Sequence, residues 1–272
     1  MAALRNWNVL TSGEGSAPEV VLATDFFATG RPEAGFTDLA PLLTGGYAIW
    51  ETVPPPVGTE TDMTGTDYAD WWLSEIEERR PVVRACFGYC AGSNYATTMA
   101  DRISRWQQRP QVILFDPEAV TPLGMYGQFH KVIGNMSTVL SADEIGNAQR
   151  LGWVAQERQS DLRLLGQELK GVFRREAGPA FDRLGIDDTR KDEFAATFGS
   201  FLAFLAAAVQ IEPAPVWTGA TAISSASPNN GLNLVPEAER AGLVADEVRF
   251  DLVHADLLRD PGVAKVVDGL LR

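Results

Sequence analysis

The clearest structural signal in the sequence is Val82-Val-Arg-Ala-Cys-Phe-Gly-Tyr-Cys-Ala-Gly92. Its first part, Val82–Phe87, has the apolar composition of a buried strand, and apolar residues repeat at helical spacing after it. Gly88 and Gly92 flank Cys90 between the two patterns. We interpret this as a strained strand-to-helix turn, a nucleophile elbow, in which glycines avoid collisions with nearby backbone. The alternative is that Cys90 is a small buried side chain beside two unrelated glycines.

Strand patterns and helical patterns also alternate on both sides of this turn. Short β-rich runs occur at Glu19–Thr24, Tyr47–Glu51, Val82–Phe87 and Val112–Phe115. Helical stripes lie between them, formed by Ala69, Trp72, Leu73 and Ile76 after a cap at Asp67, and by Tyr95, Met99, Ile103 and Trp106. Alternating strands and helices predict an α/β fold with a mostly parallel sheet covered on both faces.

The middle of the chain has a different pattern. Residues 121–210 contain helical stretches at Asp143–Glu176 and Lys191–Val209 without a convincing strand. Strand patterns return at Val216–Ile223 and Glu247–Val253, and a final helix is expected over Val263–Leu271. We therefore expect a core of residues 1–120 and 211–272, interrupted by a helical lid insertion at residues 121–210.

Composition excludes several classes of function. The 272 residues include 36 acidic and 23 basic ones, and the resulting charge of −13 argues against nucleic acid as a partner. The sequence has no metal-ligand cluster and no glycine-rich nucleotide motif, so no metal or cofactor is expected. The uncharged stretch Phe194–Ile211 has acidic flanks, which favour a buried helix over a membrane span. We expect two free thiols, Cys86 and Cys90, no secretory signal and a cytoplasmic location.

A nucleophilic thiol needs a base, and the chain has two histidines. His254 follows the last strand pattern and precedes the final helix, where an elbow fold places its base. His130 lies within the helical insertion and is expected to have no catalytic role. The sequence therefore favours His254 as the base.

The base needs a carboxylate to orient it. The loop at residues 224–231, a usual location for this acid, contains neither Asp nor Glu. Asp116 ends the apolar strand Val112–Phe115 and is the preferred candidate, because sites in open α/β sheets lie at the carboxyl edge. Glu118, Asp251 and Asp256 remain competitors.

Acyl transfer by such a triad also needs donors for the developing oxyanion. The Ala91 amide follows the nucleophile and is the first candidate. The second is expected in the loop after the first predicted strand, at Asp25–Phe27, and Phe26 is our choice. Cys86 lies inside a strand and is expected to be a core residue.

These motifs together resemble the thioesterases of polyketide and nonribosomal peptide assembly lines, over nearly the whole chain. The shared features are the Gly88–Gly92 turn, the acid at Asp116, a helical insertion and His254. The resemblance implies an α/β-hydrolase core with a helical lid. Most members carry serine where this chain has Cys90.

A stand-alone chain with cysteine there looks most like the Dieckmann cyclases that close tetramic acid rings in pathways such as those of tirandamycin, streptolydigin and nocamycin. The implied substrate is an N-(β-ketoacyl)aminoacyl chain on the phosphopantetheine of a peptidyl carrier protein. The alternative is an editing or releasing thioesterase that hydrolyses acyl thioesters. The lid aromatics Trp153, Phe173, Phe198 and Phe201 are expected to line a tail-binding surface or to form the lid's own core.

Overall fold

The computed structural model describes residues 4–16, 18–26, 32–211, 217–240 and 242–272. The chain divides into two compact units. The sheet unit comprises Met1–Pro55, Thr64–Ala119 and Ala208–Arg272, and the helical unit comprises Pro56–Met63 and Val120–Ala207.

The sheet unit is built on seven strands in the order β1-β3-β2-β4-β5-β6-β7. The strands are β1 Trp7–Ser12, β2 Val20–Thr24, β3 Ala48–Thr52, β4 Val83–Tyr89, β5 Gln111–Phe115, β6 Thr221–Ser224 and β7 Asp246–Arg249. Strand β1 pairs antiparallel with β3, and all other pairs are parallel. The mostly parallel α/β sheet predicted from the sequence is confirmed.

The helices are α1 Phe36–Leu39, α2 Gly65–Arg79, α3 Gly92–Ile103, α4 Pro122–Gly134, α5 Ala142–Arg158, α6 Leu162–Arg183, α7 Asp188–Ala208, α8 Glu237–Arg240 and α9 Pro261–Leu270. Short 3₁₀ turns span Ala40–Leu42, Gly231–Leu234 and His254–Arg259. Within the described part of the chain, no helix is both long enough and apolar enough to cross a membrane.

The central strands read as continuous apolar runs because both of their faces are buried. Every residue of β2 is buried, and Phe87 and Phe115 make an edge-to-face contact at 5.6 Å between ring centroids. Strand β1 was missed by the sequence analysis. It lies at the sheet edge with only Trp7 fully buried, so it has no sustained apolar alternation.

The expected cap of α2 at Asp67 is wrong by three positions. Thr64 is the cap: its hydroxyl accepts from the Asp67 amide at 3.3 Å, and the Asp67 carboxylate accepts from the Thr64 amide at 2.7 Å. This reciprocal pair is a capping box, which uses a threonine and an acid three residues later. The sequence therefore indicates that Asp67 lies at the start of the helix, but not that it occupies the third helical position of the capping box.

The helical unit contains α4, α5, α6 and most of α7. The stretch Asp143–Glu176, expected as one helical region, is broken where α5 ends at Arg158 and Asp161 caps α6. The Asp161 carboxylate accepts from the Leu164 amide at 3.0 Å. Buried rings form this unit's own core, since Phe198 lies 5.1 Å from Phe173 between ring centroids.

Candidate active site

The turn after β4 holds Cys90 in a left-handed backbone conformation, with φ of 51°. The Cys90 amide donates to the Phe115 carbonyl of the neighbouring strand at 2.9 Å. The Cys90 carbonyl accepts from the amides of Ser93 at 3.1 Å and Glu118 at 3.4 Å. A non-glycine residue in this region carries backbone strain of about 1–3 kcal/mol, which the surrounding hydrogen bonds hold in place.

The two glycines of the turn are required by close backbone contacts. A Cβ at Gly88 would lie 2.5 Å from the Ser93 Cα, and one at Gly92 would lie 2.2 Å from the Thr24 carbonyl oxygen. Both distances are shorter than any Cβ contact can be. Helix α3 therefore begins directly against the end of β2, with Cys90 at the carboxyl edge of the sheet.

Asp116 and His254 meet at this same edge. Asp116 is fully buried, and its Oδ2 lies 2.7 Å from His254 Nδ1. The Asp116 amide donates to the Ile223 carbonyl at 2.9 Å, which ties the residue to the end of β6. This contact fixes the ring orientation of His254 and selects the tautomer with a proton on Nδ1.

The loop at residues 224–231 supports this pair instead of supplying an acid. The Ser225 amide donates to Asp116 Oδ1 at 2.8 Å, and Ser227 Oγ accepts from the His254 amide at 2.8 Å. Gly231 has φ of 57°, and a Cβ there would lie 2.8 Å from the Asp116 Cα. The loop thus holds the Asp116 side chain through the Ser225 amide and the His254 backbone through the Ser227 hydroxyl.

Tyr89 contacts His254 in a way that the sequence analysis missed. The two rings stack at 4.8 Å between centroids, with 12° between their planes. The Tyr89 hydroxyl lies 3.0 Å from His254 Nε2 and 3.0 Å from the His254 carbonyl oxygen. The hydroxyl has one proton, so beside an unprotonated Nε2 it donates to one of these two acceptors at a time, and Nε2 donates to it once His254 has taken a proton. A polar aromatic residue directly before Cys90 was the available sequence signal.

Glu118 lies at the sulfur. The Cys90 thiol donates to Glu118 Oε2 at 3.7 Å, and the glutamate side chain is largely buried. The sequence offers Glu118 as an alternative partner of the histidine, but in the structure its carboxylate contacts the Cys90 thiol. Of the other competitors, Asp256 pairs with Arg259 at 3.2 Å and Asp251 is exposed.

The two predicted oxyanion donors have different surroundings. Ala91 is the residue at the N-terminal cap of α3, so its amide lies at a helix N-terminus beside Cys90. The Phe26 amide donates to Asp25 Oδ1 at 2.7 Å, and this bond must be exchanged before the amide can bind an oxyanion. Phe27, within the same predicted loop, lies outside the described residues.

Cys86 and His130, the remaining cysteine and histidine, have different surroundings. Both cysteines are free, and Cys86 is fully buried in β4, where burial raises the pKa of its thiol to about 12. His130 is on α4 in the helical unit, exposed, with its ring 5.8 Å from that of Tyr126. Among the described residues, no three His, Cys, Asp or Glu side chains are grouped to hold a metal ion.

Comparison with known proteins identifies the fold. No protein-family model and no curated protein matches the sequence. The Vlm2 thioesterase domain bound with a dodecadepsipeptide matches with a TM-score of 0.54 and 16% identity, over 97% of this chain and 96% of that one. RedJ, a thioesterase from the prodiginine biosynthetic pathway in Streptomyces coelicolor, matches with a TM-score of 0.50 and 18% identity, over 94% and 90%. The enol-lactonase from Burkholderia xenovorans LB400 matches with a TM-score of 0.51 and 17% identity, over 98% and 96%.

These similarities and the sheet order define an α/β-hydrolase fold, which confirms the fold class predicted from the sequence.

Proposed function

We propose that the chain is an acyl-transfer enzyme acting on thioesters. Cys90 is the nucleophile, His254 is its base, and Asp116 is the carboxylate that orients His254. The main support for this proposal is the 2.7 Å contact between Asp116 and His254, at the sheet edge where Cys90 occupies a left-handed turn. Two of the proteins with this fold, Vlm2 and RedJ, are named thioesterases, and one is bound with a depsipeptide. Their names support a substrate carried as a thioester.

Each residue has a distinct role in the proposed mechanism. Asp116 keeps the His254 ring oriented, and His254 takes the Cys90 proton as the sulfur attacks the thioester carbonyl. The amides of Ala91 and Phe26 hold the developing oxyanion. The carrier's thiolate leaves with the proton from His254, and the acyl group remains on Cys90.

The cysteine favours carbon–carbon bond formation as the second step. Exchanging one thioester for another keeps the acyl group activated, whereas a serine ester is a poorer electrophile toward a carbanion. We therefore propose a Dieckmann cyclase: the carbon between the ketone and amide carbonyls of an N-(β-ketoacyl)aminoacyl chain loses a proton to a base of the site and attacks the Cys90 thioester. The bond from the thioester carbon to Sγ breaks, and the sulfur regains a proton. A pyrrolidine-2,4-dione ring leaves, and no water is consumed. The chain would be delivered on a carrier protein's phosphopantetheine.

Hydrolysis is the second candidate, favoured by the thioesterase names of the structural neighbours. A β-ketoacyl-glycyl thioester of N-acetylcysteamine separates the two reactions by mass spectrometry. Cyclisation gives a product that has lost only the thiol, and hydrolysis gives a free acid heavier by one water. Cys90→Ser is expected to leave weak activity shifted toward the acid. A ring formed by wild type supports the cyclase, and acid alone overturns it.

A further inference from the structure

Glu118 is the carboxylate that contacts the reacting sulfur, and the proposed triad gives it no role. We propose that Glu118 is a second catalytic base, which removes the carbon-bound proton during ring closure and returns it to Cys90. This inference rests on the proposed cyclase function. It starts from the 3.7 Å hydrogen bond between the Cys90 thiol and Glu118 Oε2.

Ring closure brings the required proton close to this carboxylate. The attacking carbon must approach the thioester carbon to about 3–3.5 Å before the bond forms. That thioester carbon is bonded directly to Cys90 Sγ. We infer that the carboxylate in contact with Sγ is the base that meets the C–H bond of the approaching carbon.

Two structural features hold Glu118 at this place. Its amide donates to the Cys90 carbonyl at 3.4 Å, so its backbone is attached to the turn that carries the sulfur. Its side chain is 8% exposed, which limits competition from water for the carboxylate.

The proton balance closes without another acid or base. In the first step His254 moves the Cys90 proton to the departing carrier thiol. In the second step the Glu118 carboxylate takes the C–H proton, and the carbanion forms a bond to the thioester carbon. The bond from that carbon to Sγ breaks, and the resulting thiolate takes the proton from the Glu118 carboxylic acid. This last transfer restores the S–H···O contact seen in the structure.

The test measures the two steps separately. The N-acetylcysteamine thioester is mixed with enzyme, the reaction is quenched over time, and intact-protein mass reports the acyl adduct on Cys90 while product mass reports the ring. Glu118→Gln keeps the side-chain shape but cannot accept a proton. We expect adduct formation within about twofold of wild type and ring closure slowed by about 10²-fold or more, so the adduct accumulates.

Control variants separate proton transfer from structure. Glu247→Gln makes the same change in β7, where Glu247 pairs with Arg249 at 3.0 Å, and is expected to leave both steps unchanged. Glu118→Asp keeps a carboxylate one methylene further back, and we expect closure slowed by about tenfold with normal adduct formation. If Glu118→Gln does not fold, as judged by its thermal unfolding, Glu118→Asp decides the question.

Each outcome has a distinct meaning. A ring formed at the wild-type rate by the folded Gln variant overturns the role of Glu118 and leaves the cyclase proposal standing. Equal loss of adduct formation and closure also overturns it, because Glu118 would then act in acyl transfer. Free acid as the only wild-type product overturns the cyclase proposal and the Glu118 role together.

Discussion

Two cysteines four positions apart in one strand and turn have very different surroundings. Cys86 lies inside β4, is fully buried, and has its thiol pKa raised to about 12 by that burial. Cys90 is partly exposed, sits at φ of 51°, and donates its thiol proton to Glu118. The two thiols are therefore distinguished by the backbone turn and by the carboxyl groups at the sheet edge, not by residue type.

The largest expected difference between the two cysteines is in turnover of the thioester mimic. Cys90→Ala is expected to reduce turnover by about 10⁴-fold or more and to remove the acyl adduct, because no covalent intermediate can form. Cys86→Ala is the matched control: it deletes one buried sulfur, is expected to lower the free energy of unfolding by about 1 kcal/mol and to keep turnover. Cyclisation by the Cys90→Ala variant at the wild-type rate would contradict covalent catalysis.

Alkylation by iodoacetamide tests the same pair without a substrate. Burial raises the pKa of the Cys86 thiol to about 12, so at about pH 8 this thiol stays protonated and unreactive. We expect Cys90 to be labelled at least about 10³-fold faster in the folded protein, as read by peptide mass. In urea the two rates should become similar. Comparable labelling of both thiols in the native protein would refute this assignment.

The next effect compares two carboxylates: Asp116, which contacts His254, and Asp256, which is two positions after it in the sequence. Asp116→Asn keeps the side-chain shape but no longer stabilises the Nδ1 proton, and we expect kcat/KM for the mimic to fall by about 10²-fold or more. Asp256→Asn removes a carboxylate that pairs with Arg259 and is expected to change kcat/KM by less than about twofold. Equal effects of the two changes would show that Asp116 does not orient the base.

The smallest effect is on stability and compares two helical glycines. Gly92→Ala places a Cβ 2.2 Å from the Thr24 carbonyl oxygen, and we expect the free energy of unfolding to fall by about 3 kcal/mol in urea. Gly171→Ala lies within α6, where a Cβ meets nothing within 4 Å, and should raise it by about 0.5–1 kcal/mol through helix propensity. A neutral Gly92→Ala would mean that the turn tolerates a side chain.

The sequence was sufficient for features that depend on local pattern. The parallel strands, the glycine-flanked turn and the placement of Asp116 at a strand end follow from apolar runs and turn residues. The contact of Asp116 with His254 joins residues 138 positions apart, and the sequence could only suggest it through the order of strands.

Other features depend on side-chain direction and could not be read from pattern. Tyr89 and Cys90 are adjacent, yet the phenol reaches His254 while the thiol reaches Glu118. Asp116 and Glu118 are two positions apart, but the left-handed φ of 43° at Asp116 redirects the chain so that their carboxylates meet different partners. Strand β1 was missed because an edge strand buries too little to produce an apolar alternation.

The pairing of β4 with β5 also bears on how such a scaffold can be varied. Cys90, Asp116 and Glu118 all follow directly from these two strands, which pair in register from Ala85 opposite Gln111 to Tyr89 opposite Phe115. The longer segment of the helical unit, Val120–Ala207, begins after Glu118 and ends before β6. Recombination that exchanges this segment for one of another length thus leaves the spacing of Cys90, Asp116 and Glu118 along the chain intact, so the segment can diverge without disturbing these three positions.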